Sequence, residues 1–148
     1  MSRTAIVIGA GFSGLSAAAS LAQKGYAVTV VEKNAEPGGR ARVFREKGFT
    51  FDMGPSWYWM PEIFEQWFQG FGSSVKEHYD LKRLDPSYQV IFSEGDRWSL
   101  PASMNGLKAL FEQIEAGAGT KLERFLVEAK IKYDLGMADL VRGPALSW

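Results

Sequence analysis

The sequence predicts an α/β fold: a parallel βαβ unit with a glycine-rich turn, a second glycine turn and hairpin, and then an α+β portion. Three observations carry this reading. A β-branched run, Ile6-Val7-Ile8, leads directly into glycines at 9, 11 and 14. A stretch of small residues follows and ends at Gly25. A second β-branched run, Val28 to Val31, then delivers an acid, Glu32.

Each element has a local reason. Thr4 to Ile8 suits a strand buried on both faces of a parallel sheet. Gly9 permits a sharp turn at the strand end, Gly11 lets backbone approach a ligand, and Gly14 allows close helix–sheet packing. The helix that opens near Gly11 presents free N–H groups and the positive end of its dipole to anions. Ser16 to Ala19 are small, as close packing requires, and Gly25 is placed for a left-handed helix cap.

Glu32 lies about 20 residues past Gly11, the spacing at which an acidic side chain meets a ribose hydroxyl. With strand, helix, strand and acid in register, the pattern is a Rossmann-like dinucleotide site; its alternative is a βαβ unit that uses glycine only for turning. An acid at this position argues against a 2′-phosphate, and so against NADP.

The chain past Glu32 shifts the reading from NAD towards FAD. An NAD domain enters another helix and a third parallel strand at this point. Here Asn34 to Pro37 form a loop, Gly38-Gly39 add two flexible positions, and Arg40 follows. Ala41 to Phe44 and Phe49 to Phe51 flank Lys47-Gly48 as a hairpin. A second glycine turn beside the first is expected to close N–H groups over a pyrophosphate or ribityl chain. Arg40 adds a charge that a phosphate or carboxylate engages at two points.

These residues resemble the flavin-containing amine oxidase and phytoene desaturase superfamily, whose N-terminus joins a dinucleotide fold to Gly-Gly-Arg. Within it, Glu32 to Arg42, Gly48 to Ser56 and Leu84-Asp-Pro-Ser-Tyr88 are most similar to the carotenoid (phytoene) desaturases. The resemblance implies non-covalent FAD, with Gly9, Gly11, Gly14, Glu32, Gly39 and Arg40 at matching positions. Phe12, Ser13, Lys33, Gly38, Gly54, Pro55 and Ser56 complete the candidate cofactor-binding set. It also implies hydride transfer from a lipophilic polyene to the flavin. No catalytic residue is nameable within the chain. An amine or protoporphyrinogen-type oxidase, a carotenoid isomerase or saturase, and an inactive nucleotide-binding fragment stay open as alternatives.

Composition bounds the rest. Across 148 residues, 46% are apolar and 17 basic groups balance 17 acidic ones, which gives no electrostatic case for nucleic acid. There is no Cys, so thiol nucleophiles and cysteinyl flavin are excluded, and a single His makes no metal cluster. No apolar run approaches the ~20 residues of a membrane span, and the glycines interrupt what otherwise resembles a secretion signal over residues 1–23. The expectation is a cytoplasmic protein, with peripheral membrane association compatible with a lipid-dwelling substrate. Two parallel strands do not complete a dinucleotide-binding sheet, so an N-terminal fragment is expected. In this division 1–54 begins a discontinuous FAD domain and 55–148 begins a substrate domain. Oligomeric state is left open.

In the second part, Trp57 to Met60 either line an apolar tunnel or form ordinary core. Asp52 reads as a carboxylate capping turn N–H groups. Pro61 to Phe71 predicts a helix whose stripe of Ile63, Phe64, Trp67, Phe68 and Phe71 is packed inward, since it lacks the Lys and Arg of an interfacial helix. Lys82 to Leu84, Tyr88 to Phe92 and Arg97 to Leu100 predict strands. Leu107, Leu110, Phe111 and Ile114 follow helical spacing up to Gly117. Thr120 and Glu123 form a capping box for a further helix, with inner face Leu122, Phe125, Leu126, Ala129 and Tyr133. His78 is expected at the surface.

Overall fold

Parallel strands cannot be joined by a tight turn, and a helix supplies the return between the first two. In the computed structural model, which describes residues 3–140 and Gly143, β1 (Thr4–Ile8) pairs in parallel with β2 (Ala27–Val31), Thr4 opposite Ala27 through Ile8 opposite Val31. Helix α1 (Phe12–Gln23) connects them. Its approach to the sheet is close because Gly14 has no side chain: a Cβ there would collide with the Gly9 carbonyl and lie 3.6 Å from Val7 Cγ1. The helix ends in a Schellman motif. Gly25, at φ 83°, donates to the Ala22 carbonyl and Tyr26 donates to that of Leu21.

The expected burial of β1 on both faces is not what the structure has. Ala5 and Val7 are half-covered, whereas Ile6 and Ile8 are 72% and 88% exposed. The reason is architectural: among the described residues the sheet has two strands, and α1 is the helix that packs against them.

A bend at 34–37 and a short 3-10 turn at Gly39–Ala41 lead into an antiparallel hairpin of β3 (Val43–Glu46) and β4 (Phe49–Asp52). Lys47 (φ 49°) and Gly48 (φ 83°) are both left-handed, as a two-residue hairpin turn of matching twist requires. Asp52 ends β4 opposite Val43 and, among the described residues, caps no backbone N–H, contrary to expectation.

Helix α2 (Pro61–Gln69) opens with Pro at its first position. Its apolar stripe packs on α1. Trp67 Nε1 donates to Ser16 Oγ at 2.9 Å, Phe64 meets Phe12 edge-on at 5.8 Å, and Gln23 Nε2 donates to the Gly70 carbonyl at 2.7 Å. Phe64 and Trp67 of the stripe thus meet α1, while Phe68 stacks on His78 and Phe71 lies against Trp67. Tyr58 is tied in: its ring lies 4.8 Å from Phe64 and its hydroxyl 2.6 Å from that of Tyr79. Trp57 and Trp59 face each other at 5.8 Å but are 56% and 60% exposed, so neither is core here. His78 is exposed as expected, stacked on Phe68 and hydrogen-bonded to Ser73.

The chain falls into two compact units that divide between Asp80 and Leu81, so residues 55–80 belong by packing with the βαβ unit. The division expected at residue 54 separates cofactor-holding from substrate-facing chain. Compactness does not decide that distinction.

In the second unit, Lys82 to Leu84 form no strand. Side-chain bonds replace a ladder there: Arg83 Nη2 donates to the Ala102 carbonyl at 2.6 Å, and Asp85 Oδ1 accepts from the Ala102 N–H at 3.0 Å. Strands β5 (Tyr88–Ser93) and β6 (Asp96–Leu100) form a hairpin with an irregularity between Ile91 and Ser93. Helix α3 (Met104–Ile114) is capped by Ser103, whose Oγ accepts from the Gly106 N–H, and Phe111 meets Trp98 edge-on. Among the described residues no helix is long and apolar enough to cross a membrane.

Helix α4 (Ala118–Leu135) starts earlier than its Thr120-x-x-Glu123 pattern predicts, with Gly117 as N-cap. Glu112 from α3 does the capping: Oε1 accepts from the Gly117 N–H at 2.7 Å and Oε2 from that of Gly119 at 3.0 Å. Glu123 is instead paired with Lys108 at 2.7 Å. Leu122, Leu126 and Ala129 are half-buried as expected, while Phe125 and Tyr133 are 65% and 44% exposed. Those N–H groups, Gly117 first, hold the Glu112 carboxyl below the usual carboxylate range. Its contribution is therefore complete above the ordinary carboxylate value and disappears as pH falls through the depressed one. Glu112→Ala should lower the melting temperature at neutral pH, and circular dichroism melts of the two proteins should converge in strong acid.

Candidate dinucleotide-binding site

The backbone of Ala10 joins three segments that are distant in sequence. Its N–H donates to Glu32 Oε2 at 2.7 Å, and its carbonyl accepts from the Gly38 N–H at 2.8 Å. Ala10 itself is 5% exposed, so both groups need partners inside the protein. Gly9, at φ 100°, donates to the Val31 carbonyl at 2.7 Å and closes the end of the β1–β2 ladder. The turn, the acid and the second glycine pair are thereby one structure.

Glycine is required where these segments meet. A Cβ on Gly39 would lie 3.2 Å from the Gly11 Cα, and Gly39 is left-handed at φ 58°. Gly38 is left-handed at φ 108°, and a Cβ there would lie 3.1 Å from the Arg42 backbone. Gly54, leaving the hairpin, stands so close to the Arg40 carbonyl that any Cβ would collide with it. The Met53 N–H donates to the Arg42 carbonyl at 3.0 Å and holds that approach. Three glycine-bearing stretches therefore stack: 9–14 against 38–39, and 54 against residues 40–41.

The opening of α1 is arranged for an anion. Its N-cap, Gly11, has no side chain to satisfy the first N–H groups, and the first turn carries no acid. Those N–H groups lack helical acceptors, and the helix dipole adds its positive end. Phe12 and Ser13 are exposed in this turn, Phe12 with its ring against Phe64. Arg40 is exposed beside the turn and has no ion-pair partner among the described residues. Lys33, Pro55 and Ser56 are exposed, and no described hydrogen bond ties their side chains to the glycine turns.

Glu32 is held from two sides. Besides Ala10, its Oε1 accepts from the Asn34 N–H at 3.0 Å and from Asn34 Nδ2 at 2.6 Å. The Ala10 N–H, and after it that of Asn34, keep the carboxyl below its ordinary range, against a smaller opposing effect of burial. A dinucleotide fits this set of groups: free N–H groups where phosphates need donors, glycines where backbone must approach, and an ionised acceptor for a sugar hydroxyl. Sequence reasoning missed Ala10 and Asn34. Only the small size of Ala10 between two glycines, and the spacing of Asn34 two residues past the acid, pointed to them.

A family model for an NAD(P)-binding Rossmann-like domain matches residues 7–73. The chain is 43% identical over 135 residues to a carotenoid 3,4-desaturase of Haloarcula japonica, an alignment covering 91% of this chain and 27% of that protein. It is 38% identical over 129 residues to a 4,4'-diapophytoene desaturase (4,4'-diaponeurosporene-forming) of Staphylococcus aureus, covering 87% of this chain and 26% of that protein. The chain thus spans about a quarter of the length of the curated relatives it matches.

Two outcomes follow. Gly14→Ala should destabilise the protein by about 1–3 kcal/mol, the usual cost of overpacking, read as a shift in the denaturation midpoint. The Glu32 carboxylate is depressed in the folded state, so its hold on Ala10 is complete at neutral pH and lost as pH falls through the depressed value. The hydrogen-exchange protection factor of the Ala10 amide should drop over that acid range, and Glu32→Ala should abolish the pH dependence.

Proposed function

We propose that the protein carrying this chain is a carotenoid desaturase, an FAD-dependent oxidoreductase that introduces double bonds into a lipophilic polyene, a reading supported by its similarity to two such desaturases. The junction of the two glycine turns, Gly38 N–H on the Ala10 carbonyl and Gly39 against Gly11, carries the choice of FAD. The matched domain model is named for NAD(P). FAD shares the ADP half of that ligand, so one turn and one acid serve either. The second turn, with Arg40, adds charge and backbone donors beyond what the ADP half uses.

In this reading the N–H groups opening α1 bind the pyrophosphate, and Glu32 accepts from the ribose. Arg40 stands beside the turn as a charge for the phosphates. Gly54 keeps the chain that follows the hairpin close to the cofactor, and Trp57 and Trp59 offer an apolar surface beyond it. Lys33, Pro55 and Ser56 complete the proposed contacts. Bound FAD supplies the two-electron acceptor for the hydride that leaves when a C–C single bond becomes double, the second hydrogen leaving as a proton. Residues 1–54 are the cofactor-holding part and the remainder begins the substrate-facing part. A polyene drawn from lipid agrees with a cytoplasmic protein that works at the membrane surface.

The protein at its natural length should purify yellow, with FAD released by acid and identified by chromatography. Under anaerobic conditions, vesicles loaded with an acyclic carotenoid precursor should bleach the flavin absorbance. Flavin that stays oxidised with the polyene yet bleaches with an amine would transfer the assignment to the oxidase branch.

A further inference from the structure

Glu32 ends β2 on a flexible side chain, yet three donors reach it from two directions. Ala10 N–H takes one oxygen, while the backbone and side-chain nitrogens of Asn34 take the other. An ionised carboxylate has about four lone-pair positions. Three are filled by the protein itself, which leaves about one for a ligand. The two backbone donors are present whatever residue occupies position 34. The 2.6 Å bond from Asn34 Nδ2 is the part that depends on its identity.

We propose that Asn34 is a positioning residue: it locks the Glu32 carboxylate so that its remaining lone pair reads one hydroxyl of the ribose. This rests on the dinucleotide reading above and adds to it the source of sugar selectivity. A carboxylate free to turn accepts from either hydroxyl, or from water once one hydroxyl is missing. A locked one cannot turn to the remaining hydroxyl, so loss of the hydroxyl it reads costs that bond. The donors that lock it also favour its ionised form, which keeps it an acceptor at neutral pH.

The test uses the protein at its natural length, stripped of flavin, titrated calorimetrically with ADP, 2′-deoxy-ADP and 3′-deoxy-ADP. The unaltered protein should prefer ADP to one of the two deoxy analogues by about tenfold, the value of one hydrogen bond to a charged group. In Asn34→Ala that preference should shrink to about twofold, with the melting temperature little changed. Asn34→Asp keeps the shape but replaces the donor with a second carboxylate, and should erase the preference as well; it stands in should the alanine variant not fold. A merely structural Asn34 would weaken all three nucleotides by the same factor and leave the ratio intact, and that result overturns the inference. Failure of the unaltered protein to bind ADP at all would instead overturn the dinucleotide reading, and the positioning role with it.

Discussion

The carboxylate of Glu32 on the buried N–H of Ala10 is the interaction on which the first unit depends. A turn that leaves a strand cannot continue the ladder, so its amide needs an acceptor from elsewhere. The neighbouring strand brings one to the same end of the sheet. The Ala10 carbonyl accepts from Gly38, where the chain comes back to the first turn. The acid, the Gly38 bond to the Ala10 carbonyl and the contact of Gly39 with Gly11 together hold the glycine stretches at 9–14 and 38–39 in one arrangement.

This explains why so much of the arrangement is built from residues that have little side chain. Gly11, Gly39 and Gly54 mark places where one backbone lies on another. Ala10, at the centre, is buried. The charged side chains nearby divide the work: Glu32 turns inward to hold the fold, while Arg40 stays outward at the surface. The acid's structural duty needs no ligand.

The βαβ unit was legible because three independent signals, β-branched runs, glycine spacing and the position of the acid, all concern neighbours close in sequence. The hairpin was legible for the same reason, since Lys47-Gly48 dictates its own turn. What stayed hidden was set by partners further away. The Thr120 and Glu123 pattern is a sound local start signal, yet Glu112 reached the Gly117 and Gly119 amides first and moved the helix start. Lys82 to Leu84 has the composition of a strand, but Arg83 and Asp85 engage the Ala102 backbone instead. Asn34 in a loop reads as a turn former, and nothing in its type announces a bond to Glu32. The β-branched face of β1 reads as buried, though Ile6 and Ile8 meet no cover within the described chain.

The Glu112 clasp ties the second unit's two helices together in time as well as in space. Helix α4 lacks a side chain of its own at the N-cap, so its first turn is poorly nucleated until α3 has wound far enough to present that carboxylate. The pair therefore forms cooperatively, as a helical hairpin rather than as two independent segments. Fraying at the end of α3 would take away the acceptor that caps α4.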